Sequence, residues 1–196
     1  MSSYSTAPPS HSVARPLTDA FVDLYFMNYI TAMATDAVPY LQRNPKYSTE
    51  ICTCNGGLAI KNTLPSLSSF TRTLMMAFKL PRVVIIASAV YLGRWRLQHP
   101  GASGSNPSAP HRLVLTSMII AVKHLYDNPP PNARWVKFLH KSGIHYFDVE
   151  HINSMETEML YDLGWNILMS PADVRRVSEP VLFVLGGELL NYAQQC

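Results

Sequence analysis

The stretch 111–127, HRLVLTSMIIAVKHLYD, is more apolar than a surface helix and too short to cross a membrane. On a 3.6-residue wheel, Val114, Leu115, Met118, Ile119, Ala121, Val122, Leu125 and Tyr126 fill one wide arc. Thr116, Ser117, Lys123, His124 and Asp127 occupy the remainder, with Leu113 and Ile120 among them. This pattern predicts a central helix wrapped by neighbours on most of its surface. It leaves a narrow face, part apolar and part charged, which suits a protein partner better than bulk water.

Other stretches arrange themselves around that helix. Residues 17–33, LTDAFVDLYFMNYITAM, keep helical spacing behind a cap at Thr18 or Asp19. They are apolar on nearly every side, so they must lie against the core or a partner chain. Between 35 and 63, Pro39, Pro45, Asn55, Gly56 and Gly57 interrupt any pattern, which predicts a long connection with a short helix at 38–42. Ser66 caps a helix through 79, with Leu67, Phe70, Leu74, Ala77 and Phe78 on one stripe. Leu80-Pro81 ends it, and Pro81 serves as the first-turn proline of the next helix, to 97. The β-branched start of that segment also fits a strand; its length and its leading proline favour a buried helix.

Residues 99–110 form a loop, and NPPPN at 128–132 stops the central helix before a short segment, 133–139. Asp148 caps a helix ending near 164, whose stripe is Val149, Ile152, Met155, Met159, Leu160 and Leu163. Ser170, Pro171 and Asp173 open the last helix, which Pro180 bends or breaks, with a further turn or two over 181–193. There is no alternation long enough for a sheet and no repeat. The expected fold is all-α, about five core helices with an extra N-terminal one.

Composition narrows the functional classes. A chain of 196 residues supports one good core, and 47% hydrophobic with 15% charged residues is globular. A net charge of +3 without a Lys/Arg block gives no reason to expect nucleic acid. The Ser/Pro-rich start, MSSYSTAPPSHSVAR, lacks the apolar segment of a secretory signal and predicts a disordered tail. The longest apolar run, VVIIASAVYL at 83–92, falls short of the ~20 residues of a membrane span, so no membrane segment is expected. Cys52, Cys54 and Cys196 do not make a disulfide framework, which points to a reducing, intracellular setting.

Glu156 is the most informative single position, because it falls in the middle of an apolar stripe. A carboxylate there must find a cation or protonate. Lys123, on the central helix, is its natural partner. Two readings stand: a semi-buried ion pair that fixes helix register, or a pair held at the surface to hydrogen-bond a partner's backbone. Cys52-x-Cys54 lacks the second ligand pair of a structural zinc site, and His140, His145 and His151 do not share a helix face, so no metal is expected. Gly56-Gly57 and Gly186-Gly187 follow no predicted strand and make no phosphate loop. No nucleophile motif or carboxylate pair suggests catalysis, and no cofactor is expected. Trp95, Trp135 and Trp165 are expected as core anchors beside helix ends.

Together these residues resemble a cyclin box. LTSMIIAVKHLYD looks like the third helix of that fold, INSMETEMLYDLGWNI at 152–167 is similar to the fourth, and AVYLGRW at 89–95 looks like its second. NARWVKF at 132–138 resembles the fungal Pcl-type cyclins of the phosphate-responsive kinase class. The likeness covers about 65–169. It implies a single cyclin box of five helices with an extra N-terminal helix and a short C-terminal helical tail. The implied division is a tail at 1–16, the N-terminal helix and connection at 17–64, and the box with its tail at 65–196.

The resemblance further implies a non-catalytic subunit that binds and activates a cyclin-dependent protein kinase and reaches protein substrates through it, in the nucleus or the cytoplasm. Lys123 and Glu156 carry over as the polar clamp on the kinase backbone, with Ile120, His124 and Leu160 as apolar contacts around it. Cell-cycle timing, phosphate signalling and polarised growth are all compatible with it. Gly93 stands where many cyclins place an aspartate that pairs with a first-helix arginine, and SLSSFTRTLMMAFKL lacks the docking motif of mitotic cyclins. Two other readings remain: a cyclin-fold nucleic-acid module of the transcription-factor type, which calls for a second box and a basic face, and a purely structural helical adaptor.

Overall fold

Pro81, the Asn-Pro run at 128–131 and glycines 143 and 164 cut the chain into helices of ten to nineteen residues. The computed structural model describes residues 19–37, 64–100, 108–180 and 183. The expected tail at 1–16, the connection from 38 to 63 with its helix at 38–42, the Cys52-x-Cys54 pair, both Gly-Gly pairs, 101–107 of the loop at 99–110, and the turns at 181–193 except residue 183 lie outside the described residues.

Seven helices and no strand are found among the described residues. α1 is Asp19–Ala37, α2 Leu67–Phe78, α3 Arg82–Gln98, α4 Ala109–Leu125, α5 Asn132–Lys141 and α6 Val149–Asp162. α7 spans 171–180. α4 is the axis: α1, α2, α3 and α6 all pack on it, and α5 packs on α6.

α1 runs one turn beyond the expected 33. Ala34 lies fully buried, and the Thr31 and Thr35 hydroxyls donate to Met27 O and Thr31 O, one turn back. Its apolar surface is resolved as core, since Phe26, Met27 and Ile30 are buried. Ser66 caps α2, its Oγ accepting from Ser69 N–H at 3.3 Å. The helix closes at Lys79, which takes a left-handed turn at φ 47° while Leu80 N–H returns to Met75 O.

Pro81 is extended and precedes α3 instead of opening its first turn. The β-branched start of α3 is helical, with Val84 and Ile85 buried and Val83 exposed, so the strand alternative fails there. α4 begins two residues earlier than expected, through Pro110, and Tyr126 already leaves it in an extended conformation. The segment expected at 133–139 is a full ten-residue helix, α5. Asp148 Oδ1 caps α6, accepting from His151 N–H at 2.7 Å.

Ser170 and Asp173 form a reciprocal box at the start of α7. Ser170 N–H donates to Asp173 Oδ2 at 3.0 Å, and Asp173 N–H donates to Ser170 Oγ at 3.2 Å. Those bonds to Ser170, reinforced by the Arg94 guanidinium, hold the Asp173 carboxyl down at about 2. Pro180 is still within the helix.

Two expectations about exposure are corrected. Thr116 and Ser117, placed on the open face, are buried, because α4 is enclosed on every side from Val114 to Val122. What remains open is the two ends of α4, Arg112 and Leu113 at one and Lys123 to Leu125 at the other, not a seam along its length. Trp135 is a core anchor, but Trp165 is 58% exposed. It follows Gly164 in a left-handed turn, φ 57° after φ 59°, which swings its ring outward against Tyr161.

His111 ties the start of α2 to α4. Its Nε2–H donates to Pro65 O at 2.8 Å, the ring meets Phe70 edge-on, and Nδ1 is buried without a partner among the described residues. Burial pushes the His111 pKa below 6.5, with the Pro65 bond acting in the opposite sense. The unfolded chain therefore binds this proton more readily than the fold does. Stability should be full above about pH 6.5 and decline as pH falls from there. Burial and Arg112 lower His151 in the same sense. Melting temperatures from about pH 7.5 to about pH 5 should therefore fall less steeply for His111→Gln than for the wild type. Identical slopes would remove His111 from the explanation.

Candidate functional site

The open C-terminal end of α4 carries Lys123, two residues before the helix stops. A cation suits that position, because the last-turn carbonyls of a helix carry partial negative charge. Opposite it, the middle of α6 presents Glu156. Lys123 Nζ donates to Glu156 Oε1 at 2.7 Å and to Oε2 at 2.6 Å. The side chains are 32% and 14% exposed respectively, so the carboxylate is mostly withdrawn from water and the ammonium stays approachable.

α5 completes the arrangement. Asn132, its first residue, is buried, and its Nδ2 donates to Glu156 Oε2 at 2.7 Å and to Asn153 Oδ1 at 2.7 Å. Two acceptors on one amide nitrogen orient the group, and Asn132 Oδ1 is left buried without a partner among the described residues. Glu156 thus receives charge-assisted bonds from two helices, which holds its carboxylate in one position. Chemically the cluster can hold charges and hydrogen bonds in place for a second molecule.

Of the five residues expected at a partner surface, Lys123 and Glu156 are brought together. His124 is half-buried beside Lys123. Leu160 is half-buried one turn beyond Glu156 and packs against the core. Ile120 is corrected: at 2% exposure it belongs to the core, because it lies one turn below Lys123 where α4 is already enclosed. Asn132 and Asn153 were missed. The available signal was Asn153, three residues before Glu156 on the same helical face, and an asparagine directly after a proline run.

Gly93 marks where α1 crosses α3; a Cβ there would stand 3.3 Å from Met33 Cε. An aspartate would not fit that crossing without displacing Met33. The first box helix is held by its buried Leu67, Phe70 and Leu74, and Pro65 just ahead of it accepts from His111 of α4. Among the described residues no group of three His, Cys, Asp or Glu side chains is placed to hold a metal, and no helix is long and apolar enough to cross a membrane.

Residues 58–168, more than half of the chain, match the family model described as the cyclin N-terminal domain. Among curated proteins the chain is similar to three from Saccharomyces cerevisiae. It is 27% identical to PHO85 cyclin-1 over 132 residues, 67% of this chain and 46% of that protein. It is 25% identical to PHO85 cyclin-2 over 164 residues, 84% of this chain and 52% of that protein. It is 26% identical to PHO85 cyclin-9 over 110 residues, 56% of this chain and 35% of that protein. The chain therefore spans about half or less of the length of these relatives. The matched stretch contains α2 to α6 and with them Lys123, Asn132 and Glu156. The chain belongs to the cyclin family, a family of non-catalytic regulators, and within it resembles the PHO85 cyclins.

Proposed function

We propose that the chain is a regulatory subunit that binds and activates a cyclin-dependent Ser/Thr protein kinase and contributes to its choice of protein substrates, in the nucleus or the cytoplasm. The observation that carries this reading is the Lys123–Glu156 pair, braced by Asn132 and left approachable at the C-terminal end of a helix enclosed along its middle. The names of its relatives support the class of partner.

The mechanism is one of populations. Kinase activity requires a lysine of the kinase sheet to pair with a glutamate on a movable helix. A rigid α4–α6 end gives that helix a surface to dock on in its active position. Because the surface binds the active arrangement better than the inactive one, association shifts the kinase toward activity. Lys123 Nζ supplies a donor to the kinase backbone and the Glu156 carboxylate an acceptor, while Leu160 and the ring of His124 provide flanking contact. The subunit supplies a surface and no reacting group.

Mixing the purified chain with the cyclin-dependent kinase catalytic subunits of its own host tests this directly. One of them should be retained on the immobilised chain and should phosphorylate a model Ser/Thr substrate on the order of tenfold faster when the chain is present. No retention and no activation by any of them would overturn the reading.

A further inference from the structure

A second concave surface lies away from the clamp. It is a cleft of about 650 Å³ between α1, α3 and α7, and none of Lys123, Asn132 or Glu156 lines it. Two of its three walls, α1 and α7, fall outside the 58–168 stretch that matches the cyclin domain. The cleft is thus formed where the flanking helices α1 and α7 meet α3 of the box.

Its floor is apolar. Met33 comes from α1, Ala89 and Val90 from α3, and Val177 from α7, while Leu97 stands exposed at the rim. Three arginines surround that floor, and they are not equivalent. Arg94 is committed: it donates to Asn166 O and Leu168 O, each at 2.7 Å, and to Asp173 at 2.9 Å. Arg96 and Arg176 are 54% and 69% exposed and reach Asp36 and Asp173 only at 3.8 Å. Both guanidiniums keep donors directed at solvent.

Two aspartates in the same cleft leave it with one net positive charge, three arginines against Asp36 and Asp173. One net positive charge is too little to hold a nucleic-acid backbone or an inorganic polyanion and suits a single carboxylate. Tyr29 also lines the cleft, and its hydroxyl has no hydrogen-bond partner among the described residues. Burial raises its pKa above 10, so it stays neutral and can both donate to and accept from a peptide backbone. The volume falls within the usual range for a bound small segment.

We infer that this cleft binds a short extended segment of a protein partner, with one large apolar side chain on the Met33–Val90–Val177 floor and an acidic residue beside it on Arg96 and Arg176. The occupant is fixed by the apolar floor together with two loosely held guanidiniums at its edge. This surface is separate from the clamp and does not depend on the kinase reading.

Fluorescence anisotropy with the full-length chain and three series of short labelled peptides tests it. One series carries Leu or Phe followed by Asp within three positions; one replaces the apolar anchor by Ala; one replaces Asp by Lys. The anchored acidic series should bind about tenfold tighter than either control. Arg96→Glu with Arg176→Glu should invert the preference toward the Lys series, and Leu97→Asp should weaken the anchored peptides. All three positions are exposed, and circular dichroism checks that the variants remain folded. Lys123→Ala and Glu156→Ala should bind the peptides like wild type, so the two surfaces fail or succeed separately. Equal binding of all three series, or affinities unmoved by the Arg96 and Arg176 reversal, would overturn the inference. So would a dimer in sedimentation that Leu97→Asp dissociates and the peptides leave intact, since the cleft would then serve self-association.

Discussion

Trp135→Ala should lower the unfolding free energy by about 3–5 kcal/mol, the largest single-residue loss expected in this chain. Trp135 is fully buried, and its ring stacks on Phe78 with centroids 3.9 Å apart. It joins α5, only ten residues long, to the C-terminal end of α2. Alanine would leave a cavity that two short helices cannot readily close. Among the described residues the Trp135 indole N–H has no hydrogen-bond partner, so Trp135→Phe keeps the stack, loses none of the described bonds and should cost well under half as much. Trp165→Ala is the control: with its ring exposed, that change should fall within about 0.5 kcal/mol of wild type. Urea unfolding followed by circular dichroism distinguishes the three, as a shift in midpoint at constant slope. A small loss for Trp135→Ala would mean that α5 is held by something else.

The second large effect concerns the clamp. Glu156→Ala removes the acceptor for both Lys123 Nζ and Asn132 Nδ2. Lys123→Ala leaves a mostly buried carboxylate held by Asn132 alone. Each should cost about 1–3 kcal/mol of stability, less than a fully buried pair because Lys123 is partly solvated. Kinase affinity should fall more than stability does, since the lost groups also face the partner. Exchanging the two residues should not rescue either property. A lysine at 156 would point its ammonium at the Asn132 amide donor, and a glutamate at 123 would oppose the negative end of α4. A stability loss with unchanged kinase affinity would reduce the pair to a register pin.

The helices were legible because their punctuation is local. Ser66, Pro81, the NPPPN run and Asp148 each mark a boundary within a residue or two of where the helix starts or stops. The Lys123–Glu156 pairing was legible for a different reason. A carboxylate on an apolar stripe has few ways to be tolerated, and a lysine at the end of the central helix was within reach.

What escaped was set by tertiary packing. The helical wheel placed Thr116, Ser117 and Ile120 on an open face, but α1, α2, α3 and α6 close around the middle of α4 from different directions, so only its ends emerge. Asn132 escaped because its role depends on α5 lying against α6. Trp165 escaped because a single left-handed turn decides which way its ring points. The α1–α3–α7 cleft could not be seen at all, since its walls lie far apart in the chain.

The most direct test is a calorimetric titration of the kinase catalytic subunit that the chain retains, against wild type, Lys123→Ala and Glu156→Ala, each shown to be folded at the titration temperature. The account predicts that both variants bind at least tenfold more weakly, a loss on the order of 1.4 kcal/mol or more. Folded variants that bind with wild-type affinity would contradict it.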